Sequence, residues 1–202
     1  MIVDTSNTLP TREMLFEDMF SGSEDMKLYF QLFSSAWAKW LDMSSQEFET
    51  VAGKLSDAEF KEEIIKRAES GPMSMENFIK QLNEAGITHS AIHNMDEENV
   101  TGYALPNDYV AEMLLKHPNQ FIGFTGFNPH KGKQSLNEVK RALSTLGFKA
   151  VVFRPYMHRL FASDRKYYPL YALCEGAGVP IWIHTSVNWI PNQSIYFGHP
   201  QH

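Results

Sequence analysis

The chain is 202 residues long, carries a formal charge of −6, and is 43% hydrophobic and 21% charged. Those proportions are those of a folded globular protein and exclude a disordered or collagen-like chain. Basic residues occur in nothing larger than pairs such as Lys140-Arg141 and Arg165-Lys166, so neither nucleic acid nor an anionic membrane is an expected partner. The length suits one domain at roughly 100–200 residues but falls short of the roughly 250 residues of a complete (β/α)8 barrel.

Met1 to Thr5 reads as a short buried strand, broken by Asn7, Thr8 and Pro10. A helical block follows from about Arg12 to Ser70, in pieces near Arg12–Phe20, Glu24–Leu41, Ser45–Lys54 and Ala58–Ala68. Ser56 and Glu59 form an S-x-x-E capping box ahead of the last piece. From Gly71-Pro72 the pattern changes to an alternation of helices and strands. Helices are predicted from Ser74 to Ala85, Asn107 to Lys116, Ser135 to Leu146 and Arg165 to Glu175. Strands are predicted at Ile87–His93, Phe121–Phe127, Ala150–Phe153 and Pro180–His184. Each crossover is long enough to join parallel strands, which implies a helix-covered parallel sheet, either a (β/α) barrel or a doubly wound sheet.

No apolar run approaches the roughly 18–20 residues that span a bilayer, and the opening Met1-Ile2-Val3-Asp4 lacks the basic region of a signal peptide. The single cysteine, Cys174, cannot form an internal disulfide. A cytoplasmic protein is the expectation. Cys174 sits late in an apolar helical stretch and reads as packing rather than as a nucleophile. No P-loop, G-x-G-x-x-G, G-x-S-x-G or H-E-x-x-H motif is present.

In parallel α/β architectures the site lies beyond the carboxyl ends of the strands. Those positions hold Thr5, Ser6, Asn7 and Thr8, then His93 and Asn94, then Asn128 and His130, then Arg154, Tyr156 and His158, and finally His184, Thr185 and Ser186. Each set has a plainer reading as well. Ser6, Asn7 and Thr8 suit a turn before Pro10, and Asn128-Pro129-His130 suits a turn too. His93 can simply finish a strand, and His158 and Arg159 belong to a loop whose default is surface exposure. His184 stands out, because it follows Ile181-Trp182-Ile183 directly and should face inward at the end of the sheet. Arg154 follows Val151-Val152-Phe153 in the same way, and a permanent cation there needs a carboxylate or an anionic substrate. Phe153, Tyr156, Trp182, Trp189 and Tyr196 can line an apolar pocket or simply fill the core.

Gly147–Tyr156, Asp164–Tyr171, Gly178–Thr185 and Gly198-His199-Pro200 resemble the fourth-strand, helix-opening, fifth-strand and following segments of the amidohydrolase-2 family. Val3–Pro10 is similar to its first strand. The resemblance implies a distorted TIM barrel with a divalent metal, usually zinc or manganese, in a family of hydrolases, aromatic-acid decarboxylases and hydratases. It carries His184 over as a metal ligand. The family's first-strand H-x-H pair falls on Ser6 and Thr8, whose hydroxyls are poor zinc ligands, so the metal site is expected to be degenerate and the metal absent or weak. The family also implies ligands beyond the fifth strand that would lie past His202. A metal-free branch, the pyrone-dicarboxylate lactonases, handles carboxylated substrates with arginines and a histidine.

The expected fold is therefore an incomplete TIM-like barrel of about five strands. It forms a single domain over 1–202, with residues 11–70 as a helical insertion or lid after the first strand. The expected function is hydrolysis or decarboxylation of a small carboxylated or aromatic substrate. His184 and Arg154 are the catalytic candidates, and Ser6, Asn7, His93, Asn128, Tyr156, His158 and Trp189 the substrate-binding ones. The alternative is a non-catalytic binding protein that has lost the metal. Partners are a small molecule together with a second copy, or another chain segment that completes the barrel.

Overall fold

The apolar runs after Ile87 are too short for helices and too hydrophobic to lie open, so they pair side by side beneath the amphipathic helices between them. The computed structural model describes residues 1–17, 32–185 and 194–201. Its strands are β1 (Val3–Asn7), β2 (His89–Asn94), β3 (Phe121–Gly126), β4 (Ala150–Phe153) and β5 (Ile181–Ile183). They hydrogen-bond in the order β1-β2-β3-β4-β5, every pair parallel. The sequence left a barrel and a doubly wound sheet open. A strand order without reversal is that of a barrel.

The sheet curls. β2 and β5 are three strand spacings apart, which is about 14 Å in a flat sheet, yet the His93 and Trp182 rings lie 5.4 Å apart. The result is a curled half-barrel of five strands among the described residues, short of the eight of a closed barrel.

Alternation along the strands sorts the two faces. Val151 and Phe153 join Phe127, Val139, Tyr167, Leu170 and Cys174 in the core beneath the helices. Val152 and Arg154 alternate with them toward the concave face, as do His93 on β2, Phe124 on β3 and Trp182 on β5. Cys174 lies buried in that core, where desolvation pushes its thiol up to about 11, which agrees with its reading as packing.

Helices Ser45–Lys54 and Asn107–Lys116, strand β4 and the start of β3 have the predicted bounds, and most other ends move by one to three residues. The first strand, read as buried and broken by Asn7, instead runs through Asn7 and is largely exposed, because its polar Asp4, Thr5 and Ser6 do not suit a buried edge. The capping box at Ser56 and Glu59 forms. The rest of the predicted pieces Arg12–Phe20 and Glu24–Leu41, outside Arg12–Phe16 and Ser34–Trp40, gives no further helix in the described residues or lies beyond them. Two short helices, Glu98–Thr101 and Pro155–His158, fall where none was predicted, the second where His158 was read as part of a loop. Pro155 opens the second from its first turn, a position that suits its fixed φ. Arg159 closes it in the left-handed region at φ 53°.

The chain forms two compact units, residues 1–8 with 88–202, and residues 9–87. In the second, Phe16 packs against Trp37 and Phe48 meets Phe60 edge-on at 5.6 Å. Arg12 forks onto both oxygens of Glu62. No helix among the described residues is long and apolar enough to cross a membrane.

Candidate functional site

Three strand ends bring their residues together on the concave face. His93, at the end of β2, is almost fully buried and stacks on Phe124 at 5.0 Å. Its Nε2 lies 2.8 Å from the Thr5 carbonyl. A carbonyl only accepts, so Nε2 carries the proton and Nδ1 the lone pair in the neutral ring. Desolvation, opposed by the Thr5 bond and aided by Arg154 and His184, lowers its pKa to about 4. His184 follows β5 and donates its backbone N–H to the Phe153 carbonyl at 3.1 Å. Burial first, and then Arg154, hold its imidazole below the usual histidine range. The Tyr156 ring meets His184 edge-on at 5.7 Å. Tyr156 is fully buried, and its hydroxyl has no hydrogen-bond partner among the described residues. Burial pushes that hydroxyl up to about 12, with Arg154 and Glu97 as the charges acting on it. Arg154 reaches Glu97 through Nη1 at 3.3 Å.

Arg154, His184, Tyr156 and His93 thus form one cluster. The other candidates stand elsewhere. Asn7 donates to Asp4 Oδ2 and to Ser90 Oγ, at 2.5 and 2.7 Å, and so pins β1 to β2, while Ser6 is exposed. Asn128 donates to Asp96 and Asn99 and accepts from the His130 backbone. The loop reading of His158 as a surface residue is corrected, since it is 2% exposed. Its Nε2 donates to the Asp96 carbonyl at 3.1 Å, so its Nδ1 accepts from the Tyr167 hydroxyl at 2.9 Å. The short helix opened by Pro155 carries the ring inward. Trp189 lies outside the described residues.

Glu97 is the cluster residue that the sequence reading missed. It lies three residues past the end of β2, in a run of Asp and Glu that reads as solvated surface. Only its burial, 6% exposed, marks it. A separate open cleft of about 500 Å³ lies beyond the ends of β2 and β3 and is lined by Asp96, Asn107, Asp108, Lys131, Glu138 and Arg141. Its cations are already matched, Lys131 to Asp96 and Glu98, and Arg141 to Asp108 and Glu138.

The buried imidazoles make stability depend on pH. His93 and His158 have folded pKa values of about 4, below the unfolded value of about 6.5. Between those values the unfolded chain binds protons that the folded rings refuse, so stability is full above pH 6.5 and falls as the pH drops. Urea denaturation at pH 6.5 and 4.5 is expected to show a loss of about 2 kcal/mol per ring. His158→Gln should remove its own share of that slope, and an unchanged slope in the variant would refute the assignment.

Comparison with known proteins gives a consistent match. The amidohydrolase family model Amidohydro_2 matches residues 55–201. A gamma-resorcylate decarboxylase of Polaromonas sp. is 26% identical over 132 residues, covering 62% of this chain and 39% of that protein. A 2-amino-3-carboxymuconate-6-semialdehyde decarboxylase of Dictyostelium discoideum is 24% identical over 78 residues, covering 39% of this chain and 22% of that protein. The chain therefore spans well under half the length of these relatives. Among solved structures, an uncharacterized TIM-barrel protein from Bordetella bronchiseptica superposes with a TM-score of 0.59 at 20% identity, over 100% of this chain and 60% of its own. The 5-carboxyvanillate decarboxylase of Sphingomonas paucimobilis does so with a TM-score of 0.57 at 17% identity, over 98% and 58%. A manganese-bound 5-carboxyvanillate decarboxylase of Novosphingobium aromaticivorans reaches 0.55 at 19% identity, over 92% and 51%.

Proposed function

The chain belongs to the amidohydrolase family, and from that membership we propose that it decarboxylates or hydrolyses a small carboxylated aromatic molecule. The observation that carries this reading is the cluster on the concave face. A guanidinium, two imidazoles and a buried phenol hydroxyl without a partner among the described residues converge where the ends of β2, β4 and β5 meet. Leaving a hydroxyl buried and unpaired costs about 1–3 kcal/mol, a cost that a ligand oxygen would relieve. Arg154 binds the ligand's carboxylate, for which a planar guanidinium is suited. Tyr156 donates its hydroxyl to a second oxygen. His184 is neutral near pH 7 and accepts a proton. Once a bound carboxylate offsets Arg154, it can return one. Phe124 and Trp182 supply apolar walls.

The family implies a divalent metal, which here would fall to His184. Ser6 and Thr8 bring only hydroxyls on and just past β1, and Arg154 sets a fixed cation near His184. Among the described residues no group of three His, Cys, Asp or Glu is placed to hold an ion. The described donor set therefore does not by itself make a metal site, and the proton and carboxylate chemistry is assigned to the side chains. Residues 11–70 are taken as an insertion within one barrel-type domain over 1–202. The location is taken as cytoplasmic. The described edges β1 and β5, which carry exposed Val3 and Ile183, are taken as the places where a second copy or another segment pairs.

Gamma-resorcylate, the compound named for the Polaromonas relative, is a suitable first substrate. Product release is to be followed by chromatography with and without added zinc or manganese. Arg154→Met and His184→Asn are each expected to lower turnover at least about 100-fold. Full activity in both variants would overturn the assignment. The absent first-strand H-x-H pair favours a second reading, a binding protein without catalysis. Carboxylate binding lost in Arg154→Met but with no turnover on any carboxylated aromatic or lactone would establish it.

A further inference from the structure

We propose that His93 is a specificity residue of the site: its Nδ1 accepts a hydrogen bond from the ligand, so the site takes a carboxylated ring that bears a hydroxyl or an amine and discriminates against the same ring without a donor. This rests on the carboxylate reading of the concave face and gives a role to a residue that the reading leaves without one. From the sequence, His93 either finishes a strand or binds a ligand. Its surroundings support the second.

The ring is held from three strands. Its Nε2 lies 2.8 Å from the Thr5 carbonyl. Thr5 stands where the register of β1 on β2 shifts, between Asp4 and Asn7, and such irregularities re-aim groups beside sites. Phe124 is the register partner of His93 on β3 and stacks on it at 5.0 Å. Trp182 meets it from β5 at 5.4 Å. A half-turn of the ring would put a carbon against the Thr5 carbonyl in place of Nε2, so that bond also fixes which way round the ring sits.

A carbonyl only accepts, so Nε2 holds the proton of the neutral ring and Nδ1 its lone pair. Burial keeps the ring neutral near pH 7, with Arg154 and His184 acting in the same direction against the Thr5 bond. The two nitrogens flank Cε1, so the anchor on β1 turns Nδ1 away from that strand. Among the described residues nothing donates to it. The other polar members of the cluster differ. Arg154 only donates, and burial pushes the Tyr156 hydroxyl up to about 12, so it keeps its proton. His184 makes no side-chain hydrogen bond among the described residues, so either of its tautomers can meet a ligand. His93 is the member fixed as an acceptor. A ring that closes over it without a donor seals in a lone pair that neither water nor protein satisfies. A site built to hydrogen-bond a substituent rejects the analogue that lacks it.

Benzoates carrying a hydroxyl, an amine or a methyl group are the probes, in a meta and a para series. The three groups are close in size, and only the first two donate. Equilibrium binding by calorimetry is to be compared for the wild type, His93→Gln and His93→Asn. In at least one series the wild type is expected to bind the hydroxyl and amine forms at least about tenfold more tightly than the methyl form. In His93→Gln the amide nitrogen can still reach Thr5 from the Nε2 position, but no acceptor stands at the Nδ1 position, so the preference should fall to within about twofold. In His93→Asn the amide oxygen takes the Nδ1 position and the Thr5 bond is given up, so the preference should persist while stability in urea falls. A merely structural role would make preference follow stability. If His93→Gln does not fold, nitrogen NMR of the wild type with isotope-labelled histidine keeps the test, since the Nδ1 signal should move with the hydroxyl probe and not with the methyl one. No donor preference in the wild type, an unchanged preference in His93→Gln, a preference that follows stability across the two variants, or an unmoved Nδ1 signal would overturn the proposal. Unsubstituted benzoate separates the two readings. Binding that is lost in Arg154→Met upholds the carboxylate site whatever His93 does, and no benzoate binding in the wild type overturns both.

Discussion

Gly126→Ala is expected to destabilise the protein by about 2–3 kcal/mol and to weaken carboxylate binding with it. Gly126 ends β3 where the chain leaving β2 crosses it. A methyl group there would sit 2.5 Å from the Asn94 carbonyl oxygen, 2.5 Å from Asp96 N and 2.9 Å from the Met95 carbonyl carbon. All three atoms are backbone, so no side chain can turn aside to make room. Either β3 shifts against β4, or residues 94–96 shift away from β3. The second movement pulls on Asp96, and through it on Glu97 and its pair with Arg154. Urea denaturation and benzoate binding measure the two consequences. Gly176→Ala is the control, since a methyl group there meets nothing within 4 Å inside helix Tyr168–Ala177. It should be neutral or slightly stabilising, because alanine is the better helix former. Equal stability of the two variants would show that the close approach at Gly126 does not hold the loop.

The sheet was readable from the sequence because its signals are local. Strands β4 and β5 are short apolar runs next to glycine or proline, and several helix ends carry their signals: Ser74 accepts from Asn77 N as the pattern implies, and Gly178 ends helix Tyr168–Ala177 in the left-handed region. His184 and Arg154 were readable for the same reason, since a polar residue directly after an apolar strand falls at the sheet's end. The curl was not readable, because it is a relation between β2 and β5, shown by His93 against Trp182. The inward turn of Glu97 was hidden too. Nothing in Asp96-Glu97-Glu98 tells which of three acidic residues turns inward, and the choice is made by the short helix Glu98–Thr101 and by Lys131 on another segment. His158 misled for the opposite reason. A histidine five residues past a strand reads as loop, but Pro155 winds the chain into a helical turn that carries the ring under Tyr167.

Phe153→Ala is expected to cost about 3–5 kcal/mol and to disturb the site from behind. Phe153 is the last residue of β4, 1% exposed, and stacks on Tyr167 with centroids 4.3 Å apart. Tyr167 in turn stacks with Tyr171 and gives its hydroxyl to His158. Truncation to alanine opens a void between β4 and this aromatic column, and closely packed neighbours collapse into such a void only in part. The neighbours on either side matter for function. The Phe153 carbonyl accepts from the His184 N–H, and Arg154 follows on the opposite face. Phe153→Leu keeps most of the volume and should cost under about 1.5 kcal/mol while holding that backbone in register. Amide exchange followed by mass spectrometry can read the effect locally. Protection should fall over residues 150–154 and 181–184 in Phe153→Ala and persist in Phe153→Leu. If Phe153→Ala lowers global stability yet leaves exchange in those segments at the wild-type level, the core behind β4 does not steady the residues that face the ligand, and the placement of Arg154 and His184 must come from the concave side alone.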